Sequence, residues 1–112
     1  MSGIAAAGGD ASASRAELER WFGSLRATHD MAAPQRWEYS FVAADGHALE
    51  LLSVALVRDG YEIAKLDANA GPSLRMTKTE LLSPLTLEQR NQALRETARK
   101  HQARYVGVDV AN

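Results

Sequence analysis

Three histidines, His29, His47 and His101, are the first residues in this chain that invite a chemical reading. None has a second histidine three or four positions away, the spacing that puts two imidazoles on one helical turn to hold a metal, and cysteine is absent. A metal site is therefore not expected. Nucleophilic catalysis needs an activated Ser, Thr or Cys, and no G-x-S-x-G elbow occurs. The carboxylates are scattered, with no pair placed by a motif for acid–base work. Gly8-Gly9 lacks both a preceding strand and a following Lys-Ser/Thr, so it is no phosphate loop. No catalytic residue and no cofactor is expected.

Two sets of residues suit binding instead. Trp37 and Tyr39, with Phe41, alternate along one extended stretch, as bases would require of a stacking platform. Arg90, Arg95, Arg99, Lys100 and Arg104 place cations along and just beyond one helix. Trp37, Tyr39, Arg95 and Arg99 are the candidate surface residues. Each set also has a plain structural reading: the aromatics as core, the cations as a solvated face that suits a helix C-terminus. With Lys+Arg 13 against Asp+Glu 14, the net charge of −1 argues against nucleic acid or an anionic membrane as a bulk electrostatic partner.

The elements that must position these residues are legible from periodicity. Residues 1–13, rich in Ala, Gly and Ser, read as a disordered tail without the features of a secretory signal. Residues 14–112 form one domain. Ser14 and Glu17 make a capping box, and Leu18, Trp21, Phe22 and Leu25 follow at helical spacing, predicting a helix over 14–31. Period-two alternation predicts a strand at 36–42. Asp45 caps the next helix, and Gly60 suits the left-handed residue that ends it. Leu49, Leu52 and Leu56 give its buried stripe; Leu51, Val54 and Val57 widen that stripe, so the helix is expected to be deeply buried.

Strands follow at 61–66 and 73–82. A helix capped by Thr86 with Gln89 then runs to about His101, and a last strand at 104–110 puts Val106, Val108 and Val110 on one face. The order is helix, then β-α-β-β-α-β. That predicts an α+β fold, a ferredoxin-like two-layer sandwich with an extra N-terminal helix. Its expected strand order is fourth, first, third, second. Acylphosphatases with this fold carry an arginine in the loop before the first of these helices. Here that loop is Ala43-Ala44-Asp45-Gly46, whose carboxylate would repel phosphate.

Residues 87–110, LEQRNQALRETARKHQARYVGVDV, resemble the end of the family of regulators of ribonuclease activity, type B (RraB), the small inhibitors of ribonuclease E. Leu94, Ala98, Tyr105 and Gly107 fall in step with its closing helix and its Y-D-G-W. Leu56, Gly60, Tyr61 and Ile63 match its L-x-x-x-G-Y-x-[VI]. Val106 and Val108 stand where the family has Asp and Trp, and this chain lacks the acidic character of well-studied inhibitors. The resemblance implies a non-enzymatic, cytoplasmic protein-binding regulator with ribonuclease E as partner. It leaves the roles of Gly60, Tyr61, Tyr105 and Gly107, and the oligomeric state, unspecified. A small-molecule-sensing domain is the alternative the residues support, and an RNA-binding module the weaker one.

Overall fold

A computed structural model of the protein describes residues 9–111. The elements are β1 (Gly9–Asp10), α1 (Arg15–Leu25), β2 (Gln35–Val42), α2 (Gly46–Arg58), β3 (Glu62–Asp67), β4 (Ser73–Glu80), α3 (Pro84–Lys100) and β5 (Arg104–Val110). The fold is α+β. All strand pairings are antiparallel, in the order β1-β5-β2-β4-β3. Leaving aside the two-residue β1, the order is fourth, first, third, second, with β2 and β4 central.

The aromatic alternation in β2 sets the architecture. Trp37, Tyr39 and Phe41 point inward and are essentially inaccessible to solvent. Leu74 and Met76 of β4 join them, opposite Phe41 and Tyr39 in register. Leu49, Leu52 and Leu56 of α2, Leu87, Leu94 and Ala98 of α3, and Leu18, Phe22 and Leu25 of α1 complete one core. All three helices thus pack against the same sheet face. The other face carries Arg36, Glu38, Arg75 and Thr79.

Several expectations are corrected by this geometry. The first helix ends at Leu25, six residues short of residue 31, and turns bonded to backbone carry the chain to β2. Of the expected tail, residues 1–8 lie outside the described residues, whereas Gly9–Asp10 pairs with Val108 and Gly107 of β5 and Ala11 is buried. The unpaired edge of β5 offers backbone donors and acceptors, and two residues of almost any type can satisfy them.

The last helix starts two residues before Thr86. Ser83 is its N-cap, Pro84 its first residue, and Thr86 closes the box from N3. Proline at the first position loses no hydrogen bond there, so Ser83-Pro84 starts the helix as well as ending the strand. In β5 a bulge falls where Phe41 pairs with Tyr105 but Ser40 with Gly107. Val106 is the extra residue, and it is exposed. The bulge resets the face, so Tyr105 joins Val108 and Val110 inside and the expected Val106 stripe is broken.

Helix α2 is buried on one side only. Leu51 and Val54 are each 51% exposed and Val57 48%. The two-layer arrangement covers one stripe of a helix, so an apolar residue type on the far side stays in solvent. The helix does end as read: Gly60 takes φ 94°, and the N–H groups of Gly60 and Tyr61 donate to Val57 and Leu56.

Candidate functional site

Among the described residues, one buried polar cluster and two surfaces, one charged and one apolar, are the candidates for function. The cluster lies between β2, β4 and α3. The left-handed Gly60 swings Tyr61 back under the helices, where it meets Tyr39 edge-on at 5.6 Å. Tyr105 reaches the same place from β5, with its ring 6.3 Å from Tyr39 and 5.2 Å from Phe41.

Glu80, at the end of β4, receives a two-pronged ion pair from Arg90 of α3, with Nη2 to Oε1 at 2.8 Å. The Tyr39 hydroxyl donates to the same carboxylate at 3.4 Å. Lys78 sits over the Tyr61 ring at 4.8 Å, and its Nζ donates to the Asp59 carbonyl. The Tyr105 hydroxyl donates to Asn91 Oδ1 at 2.6 Å. That bond ties α3 to the sheet through the Asn91 oxygen alone; its buried Nδ2 has no partner among the described residues.

Burial pushes Tyr39, Tyr61 and Tyr105 all above the ordinary tyrosine value of 10.0, more strongly than the nearby Arg90 or Arg95 lowers them. The hydrogen bond to Glu80 is the main cause that raises Arg90 above the ordinary arginine value. A folded pKa raised above the unfolded one contributes stability that is complete below pH 10 and is lost as pH rises beyond it. The phenolates are therefore expected to form above pH 10 together with loss of the fold, in one cooperative step. Ultraviolet phenolate absorbance followed alongside circular dichroism checks this. Three independent titrations in an intact fold would contradict it.

The first surface is a hollow of about 560 Å³ between α3 and β5, lined by Gln92, Arg95, Glu96, Arg99, Ala103, Arg104 and Tyr105. Positions 92, 95, 96 and 99 share one side of the helix by their spacing of three and four. Arg95 donates to the Ala11 carbonyl and so ties the N-terminal segment to α3. Arg99 pairs with Glu96 at 3.6 Å, both well exposed. The Arg104 side chain has no hydrogen bond or ion pair to any described residue. Three guanidinium groups against one carboxylate leave the hollow electropositive on a nearly neutral protein. That suits an acidic group or an acidic segment.

The second surface is the exposed row Leu51, Val54 and Val57 on α2. Among the described residues no cluster of three or more His, Cys, Asp or Glu is placed to hold a metal ion. No helix among them is long and apolar enough to cross a membrane.

The residues singled out from sequence divide as follows. Arg95 and Arg99 do line a shared surface. Trp37 and Tyr39 do not: both are 0% exposed beneath the helices, so the base-stacking platform they suggested does not exist. Helix α1 removes Trp37 from solvent, stacking Phe22 on it at 5.7 Å with Trp21 edge-on at 6.1 Å. Gly60 and Tyr61 build the buried cluster, and Tyr105 belongs both to it and to the hollow. Gly107 sits between strands, opposite Ser40 on one side and Asp10 on the other.

Sequence reasoning missed Asn91 and the Glu80–Arg90 pair. Asn91 had a signal, since positions 87, 91, 94 and 98 trace one buried helical stripe. A polar residue on such a stripe needs a partner. Glu80 and Arg90 are joined only by tertiary geometry.

The fold and these surfaces define a small α+β domain equipped for contact with another macromolecule: an electropositive hollow on one side of the helix layer, an apolar row on another. The family model for Regulator of ribonuclease activity B (RraB) matches residues 17–110, and the chain belongs to that family. No curated protein sequence matches it significantly.

Proposed function

We propose that this protein regulates a ribonuclease by binding it, without chemistry of its own, and that ribonuclease E is the enzyme. The observation that carries this reading is the family match, which runs from inside α1 to the last residue of β5. Strands β2 to β5 and the helices packed on them therefore fall within the regulator domain, and β1 lies before the matched residues. The strand order supports assigning its core to the ferredoxin-like class, with α1 added to the helix layer. A cytoplasmic setting, where the ribonuclease and its RNA are found, belongs to the same proposal.

The surface assigned to the partner is the arginine-lined hollow, with Arg95, Arg99 and Arg104 receiving an acidic segment of the ribonuclease. Arg99 and Arg104 are the residues to test. Arg95 is tied to the Ala11 carbonyl, and its loss would also free the N-terminal segment. Arg99→Glu with Arg104→Glu is expected to weaken binding to ribonuclease E by roughly tenfold or more at low salt. Most of that effect should lie in the association rate, as for charges at the rim of an interface. Isothermal calorimetry and stopped-flow binding check it, with circular dichroism to show an unchanged fold. Unchanged affinity in a folded double variant would remove the hollow from the contact. No binding by the unaltered protein would remove the ribonuclease reading itself.

A further inference from the structure

We propose that the outer face of α2 is a self-association surface, on which a second copy of this chain docks its own α2 antiparallel to the first. The inference stands apart from the ribonuclease reading and uses a different face of the molecule.

Helix α2 presents Leu51, Val54 and Val57 to solvent, each about half exposed, although Leu49, Leu52 and Leu56 on its other side are in the core. Three large apolar side chains in one row on a helix that needs only one buried stripe are a feature folding does not require. Helix α1 packs on α3, so it leaves this face open.

The row is arranged symmetrically about Val54. At 3.6 residues per turn, Leu51 and Val57 fall about 60° to either side of Val54, one turn before and one turn after it. Glu50 and Arg58 fall about 6 Å to either side along the axis, at a rise of 1.5 Å per residue. Read in chain order the chemistry is acidic, apolar, apolar, apolar, basic. An antiparallel copy crossing at Val54 reads the same order in reverse. Glu50 of one copy then lies at the axial level of Arg58 of the other, and the two valines at position 54 meet on the two-fold axis. A parallel pairing would set like charges at the same level.

Such self-complementarity is what an isologous contact demands, and a heterologous partner gives no reason for it. Among the described residues the Glu50 carboxylate is otherwise held only by His47 on the surface, at 3.2 Å. Arg58 has no partner among the described residues. One helix face buries less than the ~800 Å² per partner of a standard stable interface, so the dimer is a weak one.

The test is sedimentation equilibrium of the full chain from micromolar to submillimolar concentration. The average mass is expected to climb from one chain toward two. Val54→Glu, which places two carboxylates on the axis and alters no core contact, is expected to remain a monomer with an unchanged circular dichroism spectrum. Glu50→Arg alone and Arg58→Glu alone are each expected to weaken association roughly threefold to tenfold, since each replaces two symmetry-related attractions with repulsions. An equimolar mixture of these two variants is expected to recover it, because the new arginine of one meets the new glutamate of the other.

A single-chain mass at every concentration would overturn the proposal and leave the row to another occupant, such as residues 1–8 or a ribonuclease. A dimer insensitive to Val54→Glu, or a mixture no tighter than its components, would overturn the antiparallel geometry.

Discussion

Replacing Trp37 by alanine is expected to lower the free energy of unfolding by about 3–5 kcal/mol, the range for deleting a fully buried large aromatic side chain. Trp37 is wholly inaccessible, stacked on Phe22 and edge-on to Trp21, and its Nε1 donates to the Glu80 carbonyl at 3.0 Å. Three losses coincide: the transfer energy of the indole, a void between β2 and α1, and the donor to a half-buried carbonyl. A domain of this size has roughly 5–15 kcal/mol in total, so the loss removes a large share of it and, at the low end of that range, would leave the variant close to half unfolded. Helix α1 should suffer first, since its aromatic residues lose the surface they pack on. Urea unfolding gives the total, and hydrogen exchange shows whether protection is lost in α1 ahead of α2. A cost below about 1.5 kcal/mol would mean that α1 closes over the gap and that the stacking is not what fixes it.

Gly46→Ala is expected to cost about 2–3 kcal/mol, at the upper end for overpacking a filled site. A β-carbon at position 46 would lie 2.2 Å from the Ala68 carbonyl oxygen and 2.8 Å from its carbonyl carbon. Those are backbone atoms of the turn between β3 and β4, which cannot rotate aside as a flexible side chain would. Either the start of α2 or that turn must move, and Asp45 would be pulled from its cap on His47 N–H. The same exchange at Gly23, where an added β-carbon meets nothing within 4 Å, should be neutral or stabilising in helix α1. Denaturant midpoints of the two variants, measured side by side, separate the effects. Equal outcomes would show that the close approach to Ala68 relaxes without cost.

Local chemistry made most of the fold readable. The Ser14–Glu17 box, the Asp45 cap and the Gly60 stop each mark an element boundary through hydrogen bonds that the structure contains. The alternation in β2 identified the central strand. What periodicity could not supply was the side of an element that a neighbour covers. In α2 the apolar residues run round the helix, but only one layer of sheet lies against it. In β5 one inserted residue at Val106 changes which positions face inward, and a two-residue period has no means of announcing that.

The candidate site was legible in part for a similar reason. Arg95 and Arg99 share a helix face by spacing alone. Arg104 joins them because β5 returns alongside α3, which is tertiary information. Trp37 and Tyr39 had the right residue types for an exposed platform, but both point to the helix side of the sheet: α1 covers Trp37, and Tyr61, Tyr105 and the Glu80 carboxylate enclose Tyr39.

The most direct test of the regulator reading is a titration of the purified protein into ribonuclease E acting on a labelled RNA, with the protein alone on the same RNA as a control. The account predicts a cleavage rate that falls and saturates as the two proteins reach binding equilibrium, an effect weakened by Arg99→Glu with Arg104→Glu, and intact RNA in the control. A cleavage rate unchanged at saturating protein, with no complex detected, would contradict it.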